Sequence, residues 1–521
     1  MFLLLSILNF TLLLIYPYFK TPNKLVLYIF IYIIIIYINY ISKNKDNFSY
    51  FKKVIHIDKT ILVSKYLKIF IYSNYIFYIL HLGILQYFHY YSFFLTENDV
   101  VSITEIILET ERGNLFNAHH FGDPDTGNYL SHHFSPILAI FVPFMSLLPY
   151  KMGYCNTLLI FTGLGLWLWE KVLTQLEISK DIYFYLAIFP IYNSYIYYLN
   201  TGYHYEITIL FFFFLILYGI FQKNSILELL GLGFLLMIKE DMPFYVILFA
   251  TTFLFQKKSK KFLIYFGISI LYLLIIYLVQ FNLDSTAKVN WISAWSHWGN
   301  TPSEIIINFI TRPLEVLSIL IEKRNVLLNI LGSFGFIPLL HIPSAGALGV
   351  LLSLHLFSSK EWYNSFYHYY SYTVLPLLLY SILMLGKKIS EKPFGKKSLL
   401  ILFFWGSVFY SLKGNKDFPQ KIGTFDKERV RETQAVIEKI PRNASVNVFF
   451  DMGMHLRKDI RAYRLKKDFL KDFILLDTRG WSPYYPIDNI NEDIEKYLKE
   501  KKILLYYSIG SVKLYKRREE R

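Results

Sequence analysis

Ionisable residues are scarce in this chain and unevenly placed, so each group of them is a candidate for chemistry. The densest stretch is Thr96–Pro136, TENDVVSITEIILETERGNLFNAHHFGDPDTGNYLSHHFSP, which carries Glu97, Asp99, Glu105, Glu109, Glu111, Asp123, Asp125 and four histidines. Charges are costly in hydrocarbon, so this stretch must lie outside it. Further groups follow at wide intervals: TGYHYE with His204 and Glu206, then Lys239-Glu240-Asp241, then SAWSHWGNTPSEIIINFITRP with His297, Glu304 and Arg312, and EWYNSFYHYY with Glu361 and His368. Asp or Glu can deprotonate an acceptor hydroxyl, and Lys or Arg can neutralise a phosphate leaving group. Each group also has a plain structural reading. Lys239-Glu240-Asp241 reads equally as a solvated turn, and His204 and His368, flanked by tyrosines, fit an interfacial aromatic belt. His119, His120, Asp123, Asp125, His132 and His133 supply metal-ligand types, but no pair has helical or finger spacing, so no cofactor is expected and a divalent metal is the lesser alternative.

The rest of the chain must position these groups. It has 521 residues, is 54% hydrophobic, and repeatedly runs for the roughly 20 apolar residues that cross a bilayer. This is the composition of a polytopic membrane protein. The net charge of +15 is then a topology signal in short loops, and nucleic acid is excluded as a partner. One cysteine, Cys155, permits no internal disulfide.

Lysines orient the spans. Residues 1–19 read as a retained span, because no positive n-region precedes them and no small-residue cleavage site follows. The run Lys24–Ile41 ends in a loop with Lys43, Lys45, Lys52, Lys53, Lys59, Lys65 and Lys68, so that loop and the N-terminus are cytoplasmic. Residues 67–95 then deliver the 96–136 loop to the outside. The short apolar segment 136–150 suits a helix along the outer interface. Spans at 155–172, 182–199, 204–222, 226–238, 242–256, 262–281, 326–343, 345–357, 372–386 and 398–412 bring the total to about 13 and place Lys257–Lys261 and Lys387–Lys397 in the cytoplasm. Under this parity every ionisable group named above faces outward, as a site at the membrane surface requires. Residues 1–65 form an N-terminal hairpin and basic loop, and 66–412 the main membrane domain. Residues 413–521 form an outer α/β domain, expected to be separable and soluble alone, with helices Lys427–Ile440 and Asn489–Lys499 and strand-like runs at Val446–Phe450, Phe473–Leu476, Ile503–Tyr507 and Val512–Tyr515.

The blocks HHFSPILAIFVPFMSLLPY (132–150), TGYHYEITILFFFF (201–214), LLMIKEDMPFYVILF (235–249), WGNTPSEIIINFITRPLEVL (298–317), GSFGFIPLL (332–340) and YHYYSYTVLPLLL (367–379) resemble the predicted membrane protein family called domain of unknown function 2079. That family is similar in turn to the GT-C superfamily of polytopic glycosyltransferases. The resemblance covers roughly 66–410 and, more weakly, the tail. Its D-L-G-x-x-D-Q pattern falls on Asp99 to Glu105; the aspartate is kept, while Val101, Thr104 and Glu105 replace the glycine, second aspartate and glutamine. The two N-terminal spans lie outside it.

The resemblance implies a GT-C-like all-α membrane protein with a small extracytoplasmic α/β domain, in the bacterial inner membrane. It would move a sugar from a polyprenyl-phosphate donor to a glycan, lipid or protein acceptor on the outer side. Asp99 would be the base and Glu105 its fallback, with Lys239 and Arg312 facing phosphate and His132, His133, His204, Glu206, Glu240, Asp241 and His368 lining the substrate site. Asp99 reads equally well as the cap of a helix starting near Val100. A transporter or flippase for a lipid-linked glycan, or a non-catalytic assembly factor, are the rival functions.

Overall fold

The computed structural model describes residues 59–93, 95, 98–118, 127–147, 151–283, 291–360, 369–392, 404, 406, 426–448, 450–464, 470–479 and 487–518. The expected spans 1–19, 24–41 and most of 398–412 lie outside these residues.

A mostly helical bundle precedes a small sheet. Among the described residues its longer helices are α1 (Lys59–Tyr91), α2 (Asn98–Glu111), α3 (Gly153–Gln175), α4 (Lys180–Tyr192), α5 (Ser194–Thr201), α6 (Ile209–Gln222), α7 (Ser225–Leu236), α8 (Met242–Phe255), α9 (Ser259–Asn282), α10 (Pro302–Thr311), α11 (Pro313–Glu322), α12 (Arg324–Ser333), α13 (Ile342–Leu356) and α14 (Leu375–Ser390). Among the described residues, five stretches are long and apolar enough to cross a membrane: Leu67–Tyr91, Gly153–Gln175, Tyr205–Gln222, Ser259–Gln280 and Ser371–Ser390. Pro136–Leu147, α7, α8 and α13 are apolar but shorter.

Two expected single spans are broken. Within 182–199, Pro190 sits inside α4, and Asn193 stops it by accepting a hydrogen bond from Ile196 N (3.0 Å), capping α5, while donating to Ser333 O (2.7 Å). Within 326–343, Gly335 and Phe336 both take left-handed backbone (φ 60° and 55°), ending the helical run after α12.

The polar turns sort to two ends. At one, Glu170 accepts from Tyr72 Oη (2.7 Å) and Tyr183 Oη (2.5 Å) beside Lys68, and Lys258 feels the charges of Lys261 and Lys387. α6 and α7 meet closely near this end, where a Cβ on Gly219 would come within 2.4 Å of Glu228 N. At the other end, Tyr154 at the start of α3 donates to Tyr203 O (2.8 Å), and the acids and imidazoles gather.

The tail comprises α15 (Lys427–Ile437), β1 (Ser445–Val448), β2 (Arg461–Arg464), β3 (Phe473–Asp477), α16 (Ile487–Lys499), β4 (Ile503–Ile509) and β5 (Val512–Arg517), in a mixed sheet of order β2-β1-β3-β5-β4. β2, β1 and β3 are parallel, and β5 and β4 complete the sheet antiparallel. One face buries Ile474, Leu476, Ile490, Ile494 and Tyr515 with α16. The other face is not a free surface. Its residues Val446, Leu475 and Leu514, with Met452 of the helical turn Phe450–Gly453 after β1, belong to the same continuous apolar core as Val100, Val101 and Ile107 of α2, and Gly453 packs so tightly on Val101 that a Cβ there would meet its methyl at 2.6 Å. The tail thus packs part of its apolar surface against α2.

Candidate functional site

The turn between α7 and α8 is Lys239-Glu240-Asp241, and Pro243 opens α8 in the first turn, where no backbone N–H is needed. The HHFSP segment lies against this turn through Ile137 N to Met237 O (3.1 Å). Glu240 holds it twice: His133 Nδ1 lies 2.8 Å from one carboxylate oxygen, and Phe134 N donates to the other at 2.7 Å. Ser135 Oγ is 2.7 Å from Tyr205 Oη. Lys239 Nζ donates to Glu206 Oε1 (3.2 Å) and lies 5.9 Å from the centre of the Tyr372 ring, whose hydroxyl donates to Asp241 Oδ1 (3.1 Å). Tyr129 stands among these groups, close enough to Lys239, Glu206, Tyr205 and Asp99 to feel their charges or hydrogen bonds.

Asp99 is in the first turn of α2, where its charge suits the helix N-terminus, and it acts electrostatically on the hydroxyls of both Tyr129 and Tyr154. Lys239, Glu206 and Glu240 are buried. Among the described residues, Glu206 Oε2 is buried with no hydrogen-bond partner. An acceptor left open in a low dielectric is costly, which suits a position waiting for a donor.

The electrostatics set distinct proton states. Burial pushes Asp241 up to about 7, with Glu240 and Glu206 adding to it against Lys239 and Tyr372. Burial would also raise Glu240, but His133, Lys239 and a backbone hydrogen bond together outweigh it and hold this carboxyl below the usual range. Burial lifts the Tyr129 phenol well above its ordinary value, so it is a neutral donor. Near neutrality the site thus holds a carboxylate, a carboxyl that can exchange its proton, and phenol donors.

The structure thus gathers Asp99, His133, Glu206, Lys239, Glu240 and Asp241. His132 borders them, its ring 4.5 Å from that of His133, and His204 is buried at the start of the Tyr205–Thr208 turn. Arg312 stands apart, exposed at the α10–α11 junction and ion-paired with Glu315 (3.5 Å). His368, His119, His120, Asp123 and Asp125 lie outside the described residues, among which no three His, Cys, Asp or Glu converge as metal ligands do.

Glu105 is placed differently from Asp99. It points into the α2–tail contact, where one oxygen pairs with fully buried Lys151 and the other accepts from Ala462 N (3.2 Å) on β2. One turn on, Glu109 accepts from Arg461 Nε (2.9 Å) and Asn114 Nδ2 (2.6 Å) and pairs with Arg112. His455 is stacked between Tyr90 (4.1 Å) and Phe93 (4.2 Å), and Arg429 lies 4.0 Å over Phe93. Both oxygens of Glu105 are therefore engaged in holding α2, which sets it in an anchoring position rather than at the site.

Tyr129, Ser135, Tyr205, Tyr372 and Lys151 escaped the sequence reading. With 44 tyrosines in the chain, nothing marks these three before the turns are brought together.

No curated protein matches the chain. A family model does, and its range takes in the whole cluster from Asp99 to Tyr372 and the parallel strands of the tail. The chain belongs to the predicted membrane protein family DUF2079, whose model matches residues 89–482.

Proposed function

We propose that the protein is an integral membrane glycosyltransferase of the GT-C kind, passing a sugar from a polyprenyl-phosphate donor to an acceptor on the extracytoplasmic side, through about 13 spans with the N-terminus inside and the tail outside. The observation that carries this is the convergence of Asp99, His133–Glu240, Glu206–Lys239 and Asp241–Tyr372 from four separate stretches of the chain at one end of the bundle. Asp99 takes the acceptor proton, Lys239 supplies positive charge in a low dielectric for the departing phosphate, and Asp241 exchanges a proton near neutrality. Glu206 Oε2 accepts a hydroxyl of the sugar or acceptor. The test is accumulation of lipid-linked sugar in membranes of a deletion strain, cleared by the wild-type gene and not by Asp99→Asn; a deletion strain with an unchanged lipid-linked sugar pool overturns the reading. A second reading, transport of a lipid-linked glycan, is favoured by the helix breaks at Asn193 and Gly335, because discontinuous helices line many transporter sites. The same strain separates them: a transporter defect traps the lipid-linked sugar on the cytoplasmic face.

A further inference from the structure

Helix α11 has three faces. At about 100° per residue, Val316, Ile319 and Leu320 share one sector and pack on the apolar core. Glu315, Ser318 and Glu322 form a second, polar and exposed. Leu314, Leu317 and Ile321 form the third, and they are 81, 52 and 55% exposed. The preceding α10 repeats the arrangement, with Ile305 and Phe309 packed inward and Ile306, Ile307 and Ile310 bare at 60, 57 and 71%. A helix in water needs only the first two faces; a third, apolar and largely exposed, belongs to a boundary between protein, lipid and water.

The position of the pair agrees. Lys323, just after α11, donates to Leu356 O (2.5 Å) at the end of α13 and to Ser358 O (3.2 Å) just past it, and His355 in the last turn of α13 is 3.2 Å from Thr373, beside Tyr372 of the candidate site. The pair therefore lies at the end of the bundle that carries the site, following α9, which is long and apolar enough to cross a membrane and whose apolar window is only 17% buried. Exposed Arg312 and Arg324 stand at the two ends of α11, as charges that meet lipid phosphates do. We propose that α10 and α11 form a hairpin lying in the bilayer surface beside the site, with Ile306, Ile310, Leu314, Leu317 and Ile321 in the acyl chains and Glu315, Ser318 and Glu322 in water.

Full-length protein in phosphatidylglycerol-containing nanodiscs tests this, with nitroxides on Leu317→Cys and, separately, Ser318→Cys; the natural Cys155 is buried. At position 317 collisions with oxygen should exceed those with a water-soluble nickel chelate, and at the neighbouring position 318 the order should invert. Chelate-dominated collisions at both positions overturn the proposal, placing the hairpin in water. Exclusion of both reagents from position 317 with spin–spin broadening also overturns it, since a second copy would then cover the apolar face.

Discussion

Asp99 and Glu105 lie six residues apart on one helix and differ in what surrounds them. Asp99→Asn is expected to lower turnover by about 10²–10⁴-fold at normal protein level, because a base is lost with little change of volume; quantifying lipid-linked sugar beside immunoblotted protein checks this, and full complementation would assign Asp99 to capping α2. Glu105→Gln should act on stability instead. It leaves Lys151, which burial already disfavours as a cation, without its carboxylate, a loss of about 3–5 kcal/mol visible as reduced protein and a lower melting temperature in detergent. Asp241 offers a pH test. Its carboxyl is pushed from 3.8 up to about 7 in the fold, so between those values the folded state binds the extra proton and this group's contribution to stability falls as pH rises. Asp241→Asn should remove that dependence, so melting curves of the two proteins should differ in slope between about pH 4 and 7; parallel curves would show that Asp241 titrates normally.

Among the elements, α2 carries the argument from site to tail. Its N-terminal turn places Asp99 beside Tyr129, and its middle is clamped through Glu105 to Ala462 and through Glu109 to Arg461. Hydrogen exchange should therefore rise together in α2 and β2 when Arg461 is replaced by Ala, and a rise confined to β2 would uncouple the two. The tail expressed without α2 is expected to self-associate, since the face of Val446, Met452 and Leu475 loses its cover; a monodisperse fragment in light scattering would show that the shared core is dispensable.

For the molecule as a whole, the sorting of charge between two ends is the feature that function needs. Lys258, Lys261 and Lys387 sit together at the end opposite Lys239, Glu206 and Asp241, which fits the positive-inside rule with the candidate site outside. A cytoplasmic reporter fused after Lys258 and a periplasmic one fused after Arg521 should both be active, and the reverse pattern would put the cluster inside the cell.

Apolar run length and lysine placement determined from sequence alone that the chain is a helical membrane protein with charges sorted by loop, because the cost of charge in hydrocarbon acts on each residue locally. Strand-length runs likewise marked β1, β3, β4 and β5, while β2, Arg461–Arg464, was missed because four residues with two arginines carry no strand pattern. Tertiary structure alone decided which polar groups meet. Glu206 and Lys239 are 33 residues apart, His133 and Glu240 107, and Asp241 and Tyr372 131, and no local periodicity encodes those distances. It also decided that Glu105 is committed to Lys151 and the tail while Asp99, six residues earlier on the same helix, faces the site, because the two side chains leave α2 in different directions toward different neighbours.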